Sequence, residues 1–293
     1  MKKLLVIILC VLITVTILGC KQNPPAQVVA TTQPLYDFTS YLCNGTSITV
    51  APLITDNISC LHDYTLQVNQ MKMLEQAEIM IINGSGLEPF LEDIPLPGKV
   101  TIDASHLISH SQDTKNASHT HTEHGHEHEA DPHIWLSPIC AKQMVDAICE
   151  GLKEAYPDYE DTFEQNRIQL NGQLDVLLNY GMESLETLSC RELITFHDGF
   201  SYFADAFQLE ILKALEEESG SEASANDLKE LADLIDRHNL PAVFTERNGS
   251  VSAAEIISRE TGAQVYSLDM AMSGIRYFDA MYHNINTIKE ALG

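Results

Sequence analysis

The sequence predicts an α/β protein: two parallel-sheet α/β domains joined by a long rigid backbone helix, with a crevice between the domains. Three observations carry this reading. Short β-branched runs that end in turn residues alternate with amphipathic stretches of helical period, and they do so in both halves of the chain. Nearly 300 residues exceed what one hydrophobic core usually organises. Midway lies one continuous helical pattern, residues 158–188, with Phe163, Leu170, Leu174, Leu177, Leu178, Leu185 and Leu188 on one stripe. At about 1.5 Å per residue it would span over 40 Å, enough to act as a strut.

In order, residues 1–20 read as a secretion signal. Lys2 and Lys3 precede an uncharged apolar run, residues 4–18, that is short of the roughly 20 residues a membrane span needs. Leu18-Gly19-Cys20 resembles a bacterial lipoprotein box, which implies lipid on Cys20 and a mature chain beginning there; a plain secretory signal or an uncleaved anchor is the alternative. Residues 21–26, with Pro24-Pro25, form a short tether.

The N-terminal domain is assigned to 27–157. Its strands are expected at 28–32, 48–54, 79–82 and 100–102, the third stopping at Asn83-Gly84. Helices are expected at 66–76 and 138–155, the latter ended by Pro157, and a His-rich loop occupies 106–130. The linking helix takes 158–189, weakened in propensity at Gly172 and Gly181. The C-terminal domain, 190–293, repeats the logic with strands at 193–196, 242–245 and 264–268. Its helices fall at 202–207, 226–238, 251–261 and 278–292, and Ser224 to Asp227 supply cap residues for the second of them.

Composition excludes some functions. Acidic residues number 42 against 17 basic ones, a formal charge of −25, and removal of Lys2 and Lys3 makes the mature chain more acidic still. Such a surface repels nucleic acid and anionic lipid, so neither is expected as a ligand. Beyond Cys10 and Cys20, the cysteines Cys43, Cys60, Cys140, Cys149 and Cys190 are odd in number and show no CxxC or other metal-ligand spacing. Cys140 and Cys149 fall in a helical pattern and read as buried small hydrophobes. Pairing of Cys43 with Cys60 is left open.

Histidine carries the chemistry. His119, His121, His124, His126 and His128 alternate with Thr, Glu and Gly without a packing period, so they read as solvated, shifting ligands that gather metal weakly. The run is interleaved with glutamate and lies inside the chain, unlike an expression tag; a merely polar loop is the alternative. His133 differs. It follows Pro132 and precedes Ile134 and Trp135, so its backbone is expected to be fixed. His62 lies in a loop after a strand, while His197 and Asp269 stand at the carboxyl ends of two others. In open parallel sheets ligands collect at those ends, so His62, His133, His197 and Asp269 are expected to converge on one crevice. Three imidazoles and a carboxylate match tetrahedral Zn(2+), whereas Mn(2+) favours more oxygen. His238 and His283 sit in amphipathic helices and read as structural.

Five stretches then carry a resemblance: Asn57 to His62, Asn83 to Glu92, Asp131-Pro132-His133-Ile134-Trp135-Leu136-Ser137-Pro138, Thr195-Phe196-His197, and Met281 to Asn286. In order and spacing they resemble the signatures of metal-binding lipoproteins of bacterial zinc and manganese ABC importers, over nearly the whole mature chain. The resemblance implies a monomer anchored to the membrane through Cys20. It implies metal held between two domains by His62, His133, His197 and Asp269, and delivery to a permease membrane subunit with its ATPase. Cys60-Leu61-His62 departs from the Asp-Pro-His that many relatives carry at the first ligand. His197 stands where manganese binders carry Glu, and the His-rich insertion is of the zinc type, so zinc is the expected cargo and manganese the alternative.

Two other classes are distinguishable. A secreted zinc hydrolase would keep an open water position beside a base, as in HExxH, a motif the chain lacks; Glu246 is the one carboxylate nominated as such a base, and it reads better as a structural residue or one that supports a ligand from behind. A zinc-storing adhesin would show several comparable sites instead of one tight one.

Overall fold

A computed structural model describes residues 25–55, 61, 64–92, 94–95, 97–108, 131–216, 223–272 and 274–293. The leader with Cys20, the loop residues Cys60 and His62, and His119, His121, His124, His126 and His128 lie outside the described residues.

The first half builds β1 (Val28–Ala30), α1 (Gln33–Leu42), β2 (Val50–Pro52), α2 (Val68–Gln76), β3 (Ile79–Ile82), β4 (Val100–Asp103) and α3 (Pro138–Ala155). Its four strands are all parallel in the order β2-β1-β3-β4. Val28, Val29 and Ala30 are all buried, as expected where helices cover both faces of a sheet. The second half contains β5 (Glu192–His197), α5 (Ser201–Phe207), β6 (Glu210–Glu216), α6 (Ala225–His238), β7 (Ala242–Glu246), α7 (Ser252–Thr261), β8 (Gln264–Leu268) and α8 (Tyr277–Leu292). Its sheet repeats the parallel arrangement in the order β6-β5-β7-β8. In each sheet the chain reverses its direction of winding beside the first strand, between β1 and β3 and between β5 and β7. Such switch points open a crevice beyond the carboxyl ends of the strands.

Between the halves runs α4 (Glu160–Ser184), 25 residues or about 37 Å. The expected helix at 158–188 is longer at both ends. Pro157 sets a separate 3-10 turn, Pro157–Tyr159, before it, and regular helix stops with Leu185 as the cap. The Asn166 amide donates to the carbonyls of Leu42 and Asn44, both at 2.8 Å, so α4 caps the end of α1. At the other end Gly181 lies so close to Phe207 of α5 that a β-carbon there would enter the ring.

Two elements were not anticipated, α1 and β6, and most other boundaries move by one or two residues. Ser224 and Asp227 form the anticipated capping box at the start of α6. Cys149 is buried as expected, whereas Cys140 is only half-buried; Cys43, Cys140, Cys149 and Cys190 are free thiols. Burial pushes the Cys43 thiol up to about 12, so it stays neutral and packs as an apolar group.

One hydrophobic core crosses between the halves, joining Leu35, Phe38, Trp135, Leu170, Tyr277 and Ile285. Polar contacts pin this seam. The Tyr277 hydroxyl donates to the Trp135 carbonyl at 2.9 Å, and the Trp135 indole donates to the Met270 carbonyl at 2.8 Å. Tyr277 N–H donates to the Asp37 carboxylate at 2.7 Å, and the Phe38 and Tyr277 rings meet edge-on at 4.8 Å.

Candidate metal centre

The first imidazole is set by the N-terminal sheet. After β3 the chain turns through Gly84, whose φ of +77° suits glycine and whose missing β-carbon leaves room for Asp103 and Ser105. Glu88 holds the turn from inside: its carboxylate accepts from Asn83 N–H at 2.7 Å, Gly84 N–H at 3.1 Å and the Thr31 hydroxyl at 2.6 Å. Burial pushes Glu88 up to about 7 against those donors. The Asn83 side chain, wholly buried, donates to the Pro132 carbonyl at 2.9 Å and so fixes the backbone leading into His133.

Asp131 then orients the ring. Its Oδ1 accepts from His133 N–H at 2.9 Å and lies 2.7 Å from His133 Nδ1. Burial alone would raise the Asp131 carboxyl, but hydrogen bonds and charge from His133 outweigh it and hold the group below the usual carboxylate range. An ionised Asp131 fixes the His133 proton on Nδ1 and leaves the Nε2 lone pair for a ligand.

The second imidazole comes from the end of β5. His197 is 1% exposed, and its Nδ1 lies 4.0 Å from Oε1 of Glu246, also buried and the last residue of the neighbouring β7. The two Nε2 atoms meet: His133 Nε2 and His197 Nε2 stand 3.4 Å apart with their rings nearly perpendicular. Two nitrogens each bound at about 2.05 Å to one tetrahedral zinc are about 3.4 Å apart. The observed separation is thus compatible with two ligands of one cation, and equally with a direct hydrogen bond between the rings.

Asp269 follows β8. Its main chain is clamped by the buried Asn284, which accepts from Asp269 N–H and donates to its carbonyl, both at 2.7 Å. Met270, next in the chain, lies near His197 around Gly199: a β-carbon at Gly199 would lie 2.7 Å from the His197 ring and 2.8 Å from the Met270 methyl. The Asp269 carboxylate accepts from Ala271 N–H at 2.8 Å and from Arg247 at 3.2 Å. Ala271 adopts a left-handed φ of 60°, a local strain that the surrounding contacts sustain.

Of the four expected ligands, then, His133 and His197 are brought together and Asp269 lies on an adjoining loop. His62 is outside the described residues. Among the described residues no three His, Cys, Asp or Glu side chains are gathered into a metal-holding group. Two helical histidines play structural parts: His238 lies 3.0 Å from Glu192, and His283 lies 3.1 Å from the Ser267 carbonyl. Sequence reasoning missed Asp131 as the orienting group and Arg247 as the partner of Asp269; the Asp two positions before His133 was the available signal for the first.

Residues 28–291 match the family described as "ZnuA: Zinc-uptake complex component A periplasmic". The chain belongs to this ZnuA family. The "Zinc-binding lipoprotein AdcA" of Streptococcus pneumoniae serotype 4 is 29% identical over 307 residues, covering 99% of this chain but 61% of that protein, so the chain spans less than two thirds of that relative. Among solved structures, "Crystal structure of ZnuA" superposes with a TM-score of 0.78 at 28% identity, covering 92% of this chain and 99% of the other. The "Periplasmic zinc binding protein TroA from Treponema pallidum" gives the same TM-score, identity and coverage. The two-sheet fold with its long helix is thus that of the ZnuA family.

Proposed function

We propose that this protein captures extracytoplasmic Zn(2+) in the crevice between its two sheets and passes it to an ABC-type permease and its ATPase. The observation that carries the reading is the pair of buried imidazole nitrogens, 3.4 Å apart. Two buried imidazoles whose ring nitrogens converge from the two halves of the chain suit a shared soft-to-borderline cation and offer little to an anion or an organic substrate. His62 and Asp269 complete the set in this reading. Membership of a family of zinc-uptake components and similarity to proteins described as zinc-binding support zinc over manganese. Lipid on Cys20 would hold the monomer at the membrane surface, and the histidines of residues 119–128 would gather metal near the crevice.

The test is a competition titration of untagged, metal-stripped protein with a fluorescent zinc chelator, in the presence and absence of manganese. One tight equivalent of zinc, displaced by manganese only at large excess, is the expected result. Several equal weak sites, or preference for manganese, would overturn the reading.

A further inference from the structure

One partner of the Asp269 carboxylate is a cation already belonging to the protein. Arg247 directly follows Glu246 at the end of β7, and its N–H donates to the Leu268 carbonyl at 2.8 Å, so its main chain is anchored beside β8. Its side chain is half-exposed, while the Asp269 side chain that it pairs with is 1% exposed. The two ends of this ion pair therefore differ in freedom. The Asp269 main chain is clamped by Asn284 and its buried carboxylate accepts from Ala271 N–H, whereas the guanidinium can swing into water at little loss of solvation.

We propose that Arg247 is a stand-in cation that sets the affinity and release rate of the centre: it neutralises Asp269 in the metal-free protein and must yield that carboxylate when a divalent cation arrives. A positive charge beside a buried carboxylate offsets part of its desolvation cost, so the metal-free state gains from the pair. Bound metal supplies two positive charges at the same carboxylate and repels the guanidinium. The free energy of the Arg247–Asp269 pair is then subtracted from metal binding, and the guanidinium's return as metal departs opposes recapture. Such an arrangement suits a carrier, which has to let go of its cargo, better than a store. The inference rests on Asp269 being a metal ligand.

Zinc affinity and release into excess chelator are to be measured by fluorescence and stopped flow for the wild type, Arg247→Gln, Arg247→Lys, Asp269→Ala and the double variant Arg247→Gln/Asp269→Ala. Thermal unfolding of each metal-stripped protein reports on the pair itself. Arg247→Gln is expected to bind zinc about threefold to tenfold more tightly, the reach of one half-exposed ion pair, with slower release and a lower unfolding temperature without metal. Arg247→Lys should stay near wild type. In the Asp269→Ala background, removal of Arg247 should leave affinity unchanged. Unchanged or weaker binding by Arg247→Gln, or an equal gain in the Asp269→Ala background, overturns the stand-in role alone. Wild-type affinity in Asp269→Ala instead removes Asp269 from the ligand set, and the inference falls with it.

Discussion

The Nε2 atoms of His133 and His197 face each other at 3.4 Å although the residues are 64 positions apart, one in the loop before α3 and the other at the end of β5. Either ring alone would be an ordinary buried histidine; together they define a point between them that only a shared proton or a cation can satisfy. Replacing either by alanine is expected to weaken zinc by at least a hundredfold, since a bond to a preformed ligand is lost and a cavity opens in its place. His62→Ala should behave alike, and His238→Ala should bind as the wild type does. Chelator competition on the four variants checks this.

In the proposed site Asp131 would act on the metal only through His133, whose Nδ1 lies 2.7 Å from its Oδ1. Asp131→Ala should reduce zinc affinity by about tenfold to a hundredfold, as is usual when the carboxylate behind a ligating histidine is lost. Asp131→Asn keeps a hydrogen-bonding oxygen and should fall between. Calorimetry at one pH, with unfolding monitored in parallel, separates misorientation from loss of fold.

The two glycines of α4 predict effects of opposite sign. A β-carbon at Gly172 meets nothing within 4 Å, so Gly172→Ala should stabilise by about 0.5–1 kcal/mol through helix propensity. At Gly181 the same methyl enters the Phe207 ring, and overpacking of about 1–3 kcal/mol should outweigh the propensity gain. Urea unfolding of both variants measures the contrast.

Glu88 gives a stability that depends on pH. Its folded-state value, about 7, lies above the ordinary 4.5, so its contribution is fully present below pH 4.5 and is lost as pH rises through 7. Between those limits the loss from this one group is about 3 kcal/mol, at 1.36 kcal/mol per unit. Glu88→Gln cannot titrate. Denaturant unfolding of wild type and Glu88→Gln from pH 4.5 to 8 should give curves whose difference grows toward high pH; a constant difference would contradict the assignment.

Deleting residues 109–130 should leave the tight zinc site within about tenfold of wild type and remove only weaker equivalents. The reason is entropic: fixing a stretch whose sequence has no packing period around metal costs about 1–2 kcal/mol per residue fixed, whereas His133 and His197 are already buried and held by the fold. Calorimetric titration of the deleted and full chains decides it.

Much of this fold is written in local patterns. The strands at 79–82 and 264–268 lie where β-branched runs meet turn residues, and Ser224 announces α6 because its oxygen has one use there, capping. What escaped was ambiguous or long-range. Residues 210–216 read Glu-Ile-Leu-Lys-Ala-Leu-Glu, a composition of helix formers, and become the edge strand β6 only because β5 is there to pair with. The short α1 goes unread although Thr32 and Pro34 offer a start signal, because it follows directly on the β-branched run that reads as strand as far as Thr32. At the centre, His133 and His197 were legible because a fixed histidine and a strand end have local signatures. That Arg247 would meet Asp269 depends on β7 lying beside β8, which no window of sequence contains.

The seam between the halves also dictates an order of events during biosynthesis. Asp37 in α1 receives the N–H of Tyr277, 240 residues later, and the Trp135 carbonyl receives the same tyrosine's hydroxyl. A nascent chain that has emerged only to α7 has both sheets nearly complete, yet leaves Phe38, Trp135 and the Asp37 carboxylate without their cover. The last helix is therefore the clasp, and premature termination even one helix short should yield a sticky, protease-sensitive fragment instead of a smaller working carrier.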